Sequence, residues 1–324
     1  MKTKKIISVV LVILVLLFAA GCGEKSAGNS PGDVMQLSFA TAGTSGSFYP
    51  LGGGIAKVIN DNYSQYNVSA EATAGSVENV RLFDSHSADM AFISADTAFE
   101  GYKGEGADFT KPANILALMT TYNQPTHIIA IEGSGIKSIG DLKGKKVAVG
   151  APASGTEHKT KLILEALGLT YDDIDEKFLS FAESVTAFQD HQIDAAIMGV
   201  GAPASAVMDL GSSMDFDMIS MTDEEINTVI AKYPYFQKAV MPAGTYEEIN
   251  YDVSTIGAAI LICVRADLDE QVAYDLTAVL LEHNEEIKAI HALGAEINTD
   301  NALPTVIPLH PGAEKYYKEK GITD

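Results

Sequence analysis

Cysteine is nearly missing from this 324-residue chain, which holds only Cys22 and Cys263. Arginine is as scarce, with Arg81 and Arg265 alone. A site built from several bidentate guanidinium clamps is therefore excluded. Basic charge is short overall: 22 Lys and Arg stand against 43 Asp and Glu, and Lys2, Lys4 and Lys5 of that basic set sit in the first five residues. This balance argues against nucleic acid or an adsorbed anionic membrane surface as a partner. It leaves room for a small anionic ligand, because the local field of a pocket can oppose the net charge. Long apolar runs are also missing. Ile6 to Ala20 is the longest run and falls short of the ~20 residues a membrane-spanning helix needs.

Catalytic motifs are absent as well. Gly43-Thr44-Ser45-Gly46-Ser47 ends in Ser where a nucleophile elbow needs Gly, and no Walker A or clean G-x-G-x-x-G occurs. The histidines (His86, His127, His158, His191, His283, His291, His310) show no metal-ligand spacing and read as surface or structural residues. Asp172-Asp173 and Asp223-Glu224-Glu225 read as solvated helix starts, and Glu285-Glu286 as an exposed helix face. Nothing assembles a nucleophile, a base and an oxyanion site, so neither an enzyme, a cofactor nor a metal is expected.

What is present begins with a leader. The basic n-region, the apolar run and Ala19-Ala20-Gly21 have the form of a secretory signal. Ala-Ala-Gly-Cys resembles a bacterial lipobox, which implies that Cys22 becomes a lipidated N-terminus. An ordinary secreted protein cut nearby is the alternative. Gly23 to Asp33 has the composition of a flexible tether. Cys263 lies in the apolar run Ala258 to Val264 and reads as a small core residue, so no disulfide is expected.

Five strand–loop–helix units follow. Met35 to Ala40 empties into Thr41 to Tyr49, with Pro50 opening a helix. Val68 to Ala72 leads through Gly75-Ser76 into a helix carrying Val77 to Phe83. Met90 to Ile93 runs into Ser94-Ala95-Asp96 as a helix start. Lys146 to Val149 leads through Gly150 to Gly155 to a helix over Thr160 to Leu167, with Ser154 to Glu157 fitting a capping box. Asp194 to Met198 leads through Gly199 to Ala202 to a helix opened by Pro203. Strands alternating with helices imply parallel sheets covered on both faces, with ligands at the strand C-terminal ends. Gly52-Gly53-Gly54 falls inside the first helix, where close packing against a strand is the expectation. Ile115 to Ile131 reads as two strands joined by a crossing, Thr255 to Val264 as one long strand, and Glu270 to His291 as an amphipathic helical stretch. Paired crossings suit a two-lobed, hinged protein.

These residues resemble the TAXI group of receptors of tripartite ATP-independent periplasmic (TRAP) transporters. The likeness rests on Thr41 to Asn60, Gly75 to Asn79, Asp141 to Val147 followed by Ala153 to Thr156, Ile193-Asp194-Ala195 with Gly201-Ala202-Pro203, and Leu309 to Tyr317. It implies an α/β, type II periplasmic-binding-protein-like fold, with two parallel or mixed sheets, a hinge of two crossing strands and an interlobe cleft. It divides the chain into a signal peptide (1–22), a tether (23–33), one lobe from 34–123 plus 254–324, and a second from 124–253. It further implies a monomeric, membrane-anchored extracytoplasmic lipoprotein that captures a glutamate-like amino acid or dicarboxylate for a TRAP permease driven by an ion gradient. An ABC-type binding protein or a ligand-sensing lipoprotein on the same fold is the alternative. The contacts it implies are Thr44, Ser45, Phe48, Tyr49, Ser76, Asn79, Ser94, Ser154, Gly155, Thr156, Gly201 and Ala202. One departure is Ala153, where that group often has Gly. Arg81 reads as structural.

Overall fold

The computed structural model describes residues 34–323. The expected signal peptide, the lipidation site Cys22 and the tether lie outside the described residues. In chain order the strands are β1 (Met35–Ala40), β2 (Tyr66–Glu71), β3 (Met90–Ser94), β4 (Leu116–Ile131), β5 (Lys146–Ala148), β6 (Asp175–Lys177), β7 (Ala195–Gly199), β8 (Phe216–Met218), β9 (Phe236–Met241) and β10 (Val253–Val264). The α-helices are α1 (Phe48–Asn62), α2 (Ser76–Asp84), α3 (Ala95–Lys103), α4 (Gly155–Ala166), α5 (Phe181–Gln189), α6 (Ser205–Gly211), α7 (Asp223–Lys232), α8 (Glu270–Glu282), α9 (Asn284–Ile290) and α10 (Pro311–Lys320).

Two mixed sheets share β4, so the strands follow one path, β2-β1-β3-β10-β4-β7-β5-β6, with β8 beside β4 and β9 beside β10. Parallel pairs, β1 with β3 and β5 with β7, lie on either side of the long antiparallel β4–β10 pair. This is the two-sheet α/β architecture expected from the sequence. β3, Met-Ala-Phe-Ile-Ser, is buried at every position, as a strand covered on both faces must be. Its Phe92 ring packs 4.9 Å from Phe39 of β1 and 5.0 Å from Phe48 of α1.

The segment 115–131 corrects its sequence reading. It forms one 16-residue strand rather than two joined by a crossing. Its polar middle does not interrupt the ladder, because side-chain hydroxyls need only a local acceptor. Thr121 Oγ1 donates to Ile260 O at 2.7 Å, at the point where the β4–β10 register shifts. Thr120 Oγ1 donates to Pro304 O. β10 pairs with this strand from Leu116 to Pro125, and with β9 along its own first half and β3 along its second.

Other boundaries move for local reasons. α4 begins at Gly155 rather than Thr160, since Ser154 Oγ already accepts the Glu157 amide. The other half of the expected capping box is not formed, because Glu157 instead accepts from the Tyr171 hydroxyl at 3.0 Å. α6 begins at Ser205, two residues past Pro203. The stretch 270–291 divides at His283, whose ring bonds Glu286 at 2.7 Å across the start of α9. Asp223–Glu225 do open a helix, capped by Thr222, and Cys263 is fully buried without a disulfide.

Gly52 and Gly53 separate packing from propensity. A Cβ at Gly52 would stand 2.5 Å from Thr41 Cγ2, against a hydroxyl side chain pinned to Glu71 O, whereas one at Gly53 meets nothing within 4 Å. Gly52→Ala is expected to destabilise by ~1–3 kcal/mol through overpacking. Gly53→Ala should instead stabilise by ~0.5–1 kcal/mol, since Ala loses less backbone entropy in a helix. Urea titration of both variants checks the pair, and matching signs would refute the packing argument.

Candidate functional site

Where the two sheet halves meet, a cavity of about 160 Å3 opens among the strand C-terminal ends. Residues from the start of five helices line it: Phe48 of α1, Ser76 of α2, Ser94 ahead of α3, Ser154, Gly155 and Thr156 at α4, and Ser180 and Phe181 at α5. Gln124 of β4 and Gly199 at the end of β7 complete its inner wall. Helix starts gather here because parallel strands all deliver their following helices from the same edge. The first amides of each helix have no intrahelical acceptor, and aligned peptide dipoles place partial positive charge on them.

Two of the hydroxyls keep a hydrogen free for this space, whereas Ser94 Oγ donates to Asp96 and Thr156 Oγ1 to Gly199 O at 3.4 Å. Ser76 Oγ accepts the Ser94 amide at 3.1 Å, and Ser154 Oγ accepts the Glu157 amide at 3.0 Å. Each is thereby left with its own hydrogen to give. Thr156 Oγ1 accepts the Gly199 amide at 3.2 Å. No carboxylate lines the cavity, although the chain is strongly acidic.

The halves touch directly around the cavity. Glu78 N donates to Ala153 O at 3.1 Å, Ser205 Oγ to Ser45 O at 3.0 Å, and Gly201 N to Ser47 Oγ at 3.3 Å. Ser47 Oγ also lies 3.2 Å from the buried Tyr122 hydroxyl of β4. Ala153 adopts φ 61°, the left-handed conformation that glycine takes freely. An alanine there costs about 1 kcal/mol, and its carbonyl is turned to Glu78 as a result.

Of the twelve residues named from the sequence, Ser45, Phe48, Ser76, Ser94, Ser154, Gly155 and Thr156 line the cavity. The other five do not. Thr44 and Tyr49 are exposed. Asn79 is fully buried as a clamp, its amide donating to Thr41 O at 2.8 Å and Phe92 O at 2.9 Å while its oxygen accepts from Thr73 Oγ1 at 2.7 Å. Gly201 is closed off by Ser47 and Leu293, and Ala202 packs against the apolar cluster around Met198. Missed were Ser47, Gln124, Ser180 and Phe181. Ser180-Phe181-Ala182-Glu183 is a complete capping box, a signal the sequence did offer.

Beside the cavity lies a buried ionic cluster. His158 Nδ1 bonds Asp108 at 2.9 Å, and its Nε2 lies 3.4 Å from Glu100, which accepts from Tyr235 at 2.8 Å. Burial disfavours the imidazolium, yet the Asp108 bond and the charges of Asp96, Glu100 and Asp108 outweigh it and raise the His158 pKa. Burial raises Glu100, whereas the His158 bond lowers Asp108. His127 differs: buried without an acid partner, it is lowered to about 4 and is neutral, 2.7 Å from the Tyr246 hydroxyl.

Comparison with known proteins corrects one reading. The family model that matches, over residues 39–321, is the NMT1-like family and not the TAXI group. The chain is 33% identical over 121 residues to a protein of Brucella abortus (strain 2308) provisionally named a binding protein; the match covers 36% of this chain and 37% of that one. It thus spans little more than a third of the length of the curated relatives it matches. Among solved structures, a Bordetella bronchiseptica RB50 protein is 20% identical, with 89% of each chain covered and a TM-score of 0.54. PhnD1 of Prochlorococcus marinus (MIT 9301), solved with methylphosphonate, is 10% identical over 89% of this chain and 99% of its own, with a TM-score of 0.55. A Streptococcus mutans structure, from work on glutathione import by GshT and the cystine ABC importer TcyBC, is 13% identical over 84% of this chain and 98% of its own, with a TM-score of 0.51. These likenesses carry the fold.

The raised pKa of His158 sets a pH dependence. A raised histidine contributes its full stability at and below its ordinary value of 6.5 and loses it as pH climbs through the raised value. Wild type should therefore weaken above pH 6.5 more steeply than His158→Gln. That variant should cost about 3 kcal/mol near pH 6, where it leaves buried carboxylates unpaired. Denaturant unfolding across the range reads both, and parallel profiles would remove His158 from the account.

Proposed function

This chain belongs to the NMT1-like family, and on that premise we propose that it is an extracytoplasmic solute-binding protein for a small organic anion, serving an ABC-type permease. The observation that carries this reading is the meeting of five helix N-termini in one cavity whose wall bears hydroxyls and no carboxylate. Unpaired helix amides and donating hydroxyls favour a carboxylate or another oxyanion without an arginine clamp. Ser76 and Ser154, whose hydroxyl hydrogens are uncommitted, hold the anionic group with the free helix amides, and Phe48 and Phe181 face the apolar part. The volume suits a ligand of a few heavy atoms, an amino acid or small acid. With serines but no histidine, cysteine or carboxylate on the wall, the cavity suits reversible capture rather than turnover.

The ABC assignment draws support from the GshT and cystine-importer likeness, since that work names an ABC importer. The lobes are 34–123 plus 254–324 and 124–253, closing about the middle of β4 and the start of β10. Contacts such as Ser205 with Ser45 and Gly201 with Ser47 belong to the closed form. Ligand binding shifts the open–closed balance, and the permease reads the closed state. Extracytoplasmic placement rests on the leader-like residues before Cys22, and lipid anchoring at Cys22 on the lipobox pattern. No described helix is long and apolar enough to cross a membrane.

Protein stripped with denaturant and refolded should bind at least one member of a panel of amino acids, dicarboxylates, phosphonates and sulphonates. Calorimetry should give micromolar affinity or better, about −8 kcal/mol. Ser76→Ala, which deletes one donating hydroxyl, should weaken that binding by about tenfold. Silence across the panel would sink the receptor reading, and an unchanged Ser76→Ala would move the anion elsewhere.

A further inference from the structure

Directly behind the cavity wall is a lysine that the fold does not explain. Lys159 of α4 is 1% exposed, and its Nζ has no hydrogen-bond partner among the described residues. A buried ammonium without a partner costs several kcal/mol, a cost that proteins ordinarily avoid by pairing or by exposing the group. Asp96 of α3 attracts it electrostatically, but Asp96 spends one oxygen on the Ser94 hydroxyl and its Oδ2 is likewise without a partner. His127 of β4, the other titratable group that feels Lys159, is neutral and offers no counter-charge. Burial presses the lysine pKa down, in keeping with an uncompensated site.

Its position in the wall is specific. Lys159 lies one helical turn past Thr156, on the face of α4 that points into the molecule. At the floor of the cavity stands Gly199, which has no side chain. A Cβ there would lie 3.3 Å from Lys159 Nζ, 3.3 Å from Thr156 Oγ1 and 3.5 Å from Gln124 Oε1. Gly199, Thr156 and Gln124 all line the cavity. The ammonium therefore sits behind a point of the inner wall that has no side chain in front of it, where the carboxamide of Gln124 and the hydroxyl of Thr156 flank the opening.

We propose that Lys159 is the counter-charge of the bound solute: the anionic group reaches the wall at Gly199, between Thr156 and Gln124, and faces the Lys159 ammonium, so that the site accepts organic anions and rejects isosteric neutral solutes. This rests on the receptor reading above. It supplies the cation that a chain with two arginines, neither near the cavity, must find elsewhere. It also gives a reason for Gly199 to be glycine, since a methyl group there would stand between ligand and charge. The helix N-termini alone would attract an anion, but their partial charges are shared around the wall. Lys159 fixes which end of the ligand points inward.

The test pairs carboxylates with their amides: L-glutamate against L-glutamine and succinate against succinamide, with methylphosphonate as a further anion, titrated by calorimetry into wild type, Lys159→Met and Gly199→Ala. Wild type should prefer the anion of each pair. Lys159→Met should lose about 30-fold or more in anion affinity, equivalent to ~2 kcal/mol, and bind the amides as wild type does. Its ligand-free melting temperature should equal or exceed that of wild type, because an apolar isostere replaces an unpaired buried charge. Gly199→Ala, which keeps the charge and blocks the approach, should lose anion affinity as well. Equal anion binding in wild type and Lys159→Met would overturn the inference while leaving the receptor reading intact. A Lys159→Met chain that melts well below wild type or does not fold would assign the lysine to the core and overturn it too. Wild type that binds no anion of the panel would overturn both.

Discussion

Everything in this molecule hangs on the antiparallel pairing of β4 with β10. These two strands are the longest among the described residues; β4 passes from one sheet half into the other, and β10 pairs with β9 along one part and with β3 along the other. Parallel units on both sides attach to them edge to edge, so the register of this pair fixes how the two sets of strand ends face each other. The register shifts near Leu261, and Thr121 bonds Ile260 O at that point. A bulge of this kind bends a strand without ending it. Bending where the halves join lets two mixed sheets present the C-terminal ends of their parallel strands toward a shared space.

That shared space acquires its chemistry from backbone rather than from charged side chains. Each parallel strand must be followed by a helix, and each such helix begins at the same edge. Five begin close enough together to line one cavity. An acidic chain is compatible with helix amides gathered at one cavity, because those amides act over a single turn while surface carboxylates are screened by water. Formal charge is nevertheless buried nearby. Asp96, Glu100, His158 and Lys159, with the partly buried Asp108, gather where α3 meets α4.

Much of this was legible locally. The alternation in Met35–Ala40, the small hydroxyl loops and the cap at Ser154 are written over a few residues, because strand pleat and helix caps are nearest-neighbour physics. Seven of the twelve residues named from those loops do line the cavity. The other five lie outside that lining for tertiary reasons. Asn79 is drawn into the core by the carbonyls of Thr41 and Phe92, which lie far off in sequence. Tyr49 turns outward because Phe48 takes the place against Phe92. The reading of 115–131 as two strands failed because its polar middle is answered from β10 and from Pro304, long-range partners that no local pattern reveals. The resemblance to the TAXI group failed for a related reason: loops that bind small polar solutes at strand ends look alike across receptor families.

The sequence by itself determined that this is an α/β chain of strand–loop–helix units with only two cysteines and two arginines to draw on. Those properties follow from composition and from periodicities of two and 3.6 residues, which the chain carries wherever it is placed. Only the tertiary structure decided which loops meet. It alone put Gln124, Ser180 and Phe181 into the cavity wall and Lys159 behind Gly199. The reason is geometric: residues more than thirty positions apart are brought within bonding distance by the curvature and register of two long strands, and neither quantity is encoded in any short stretch of the chain.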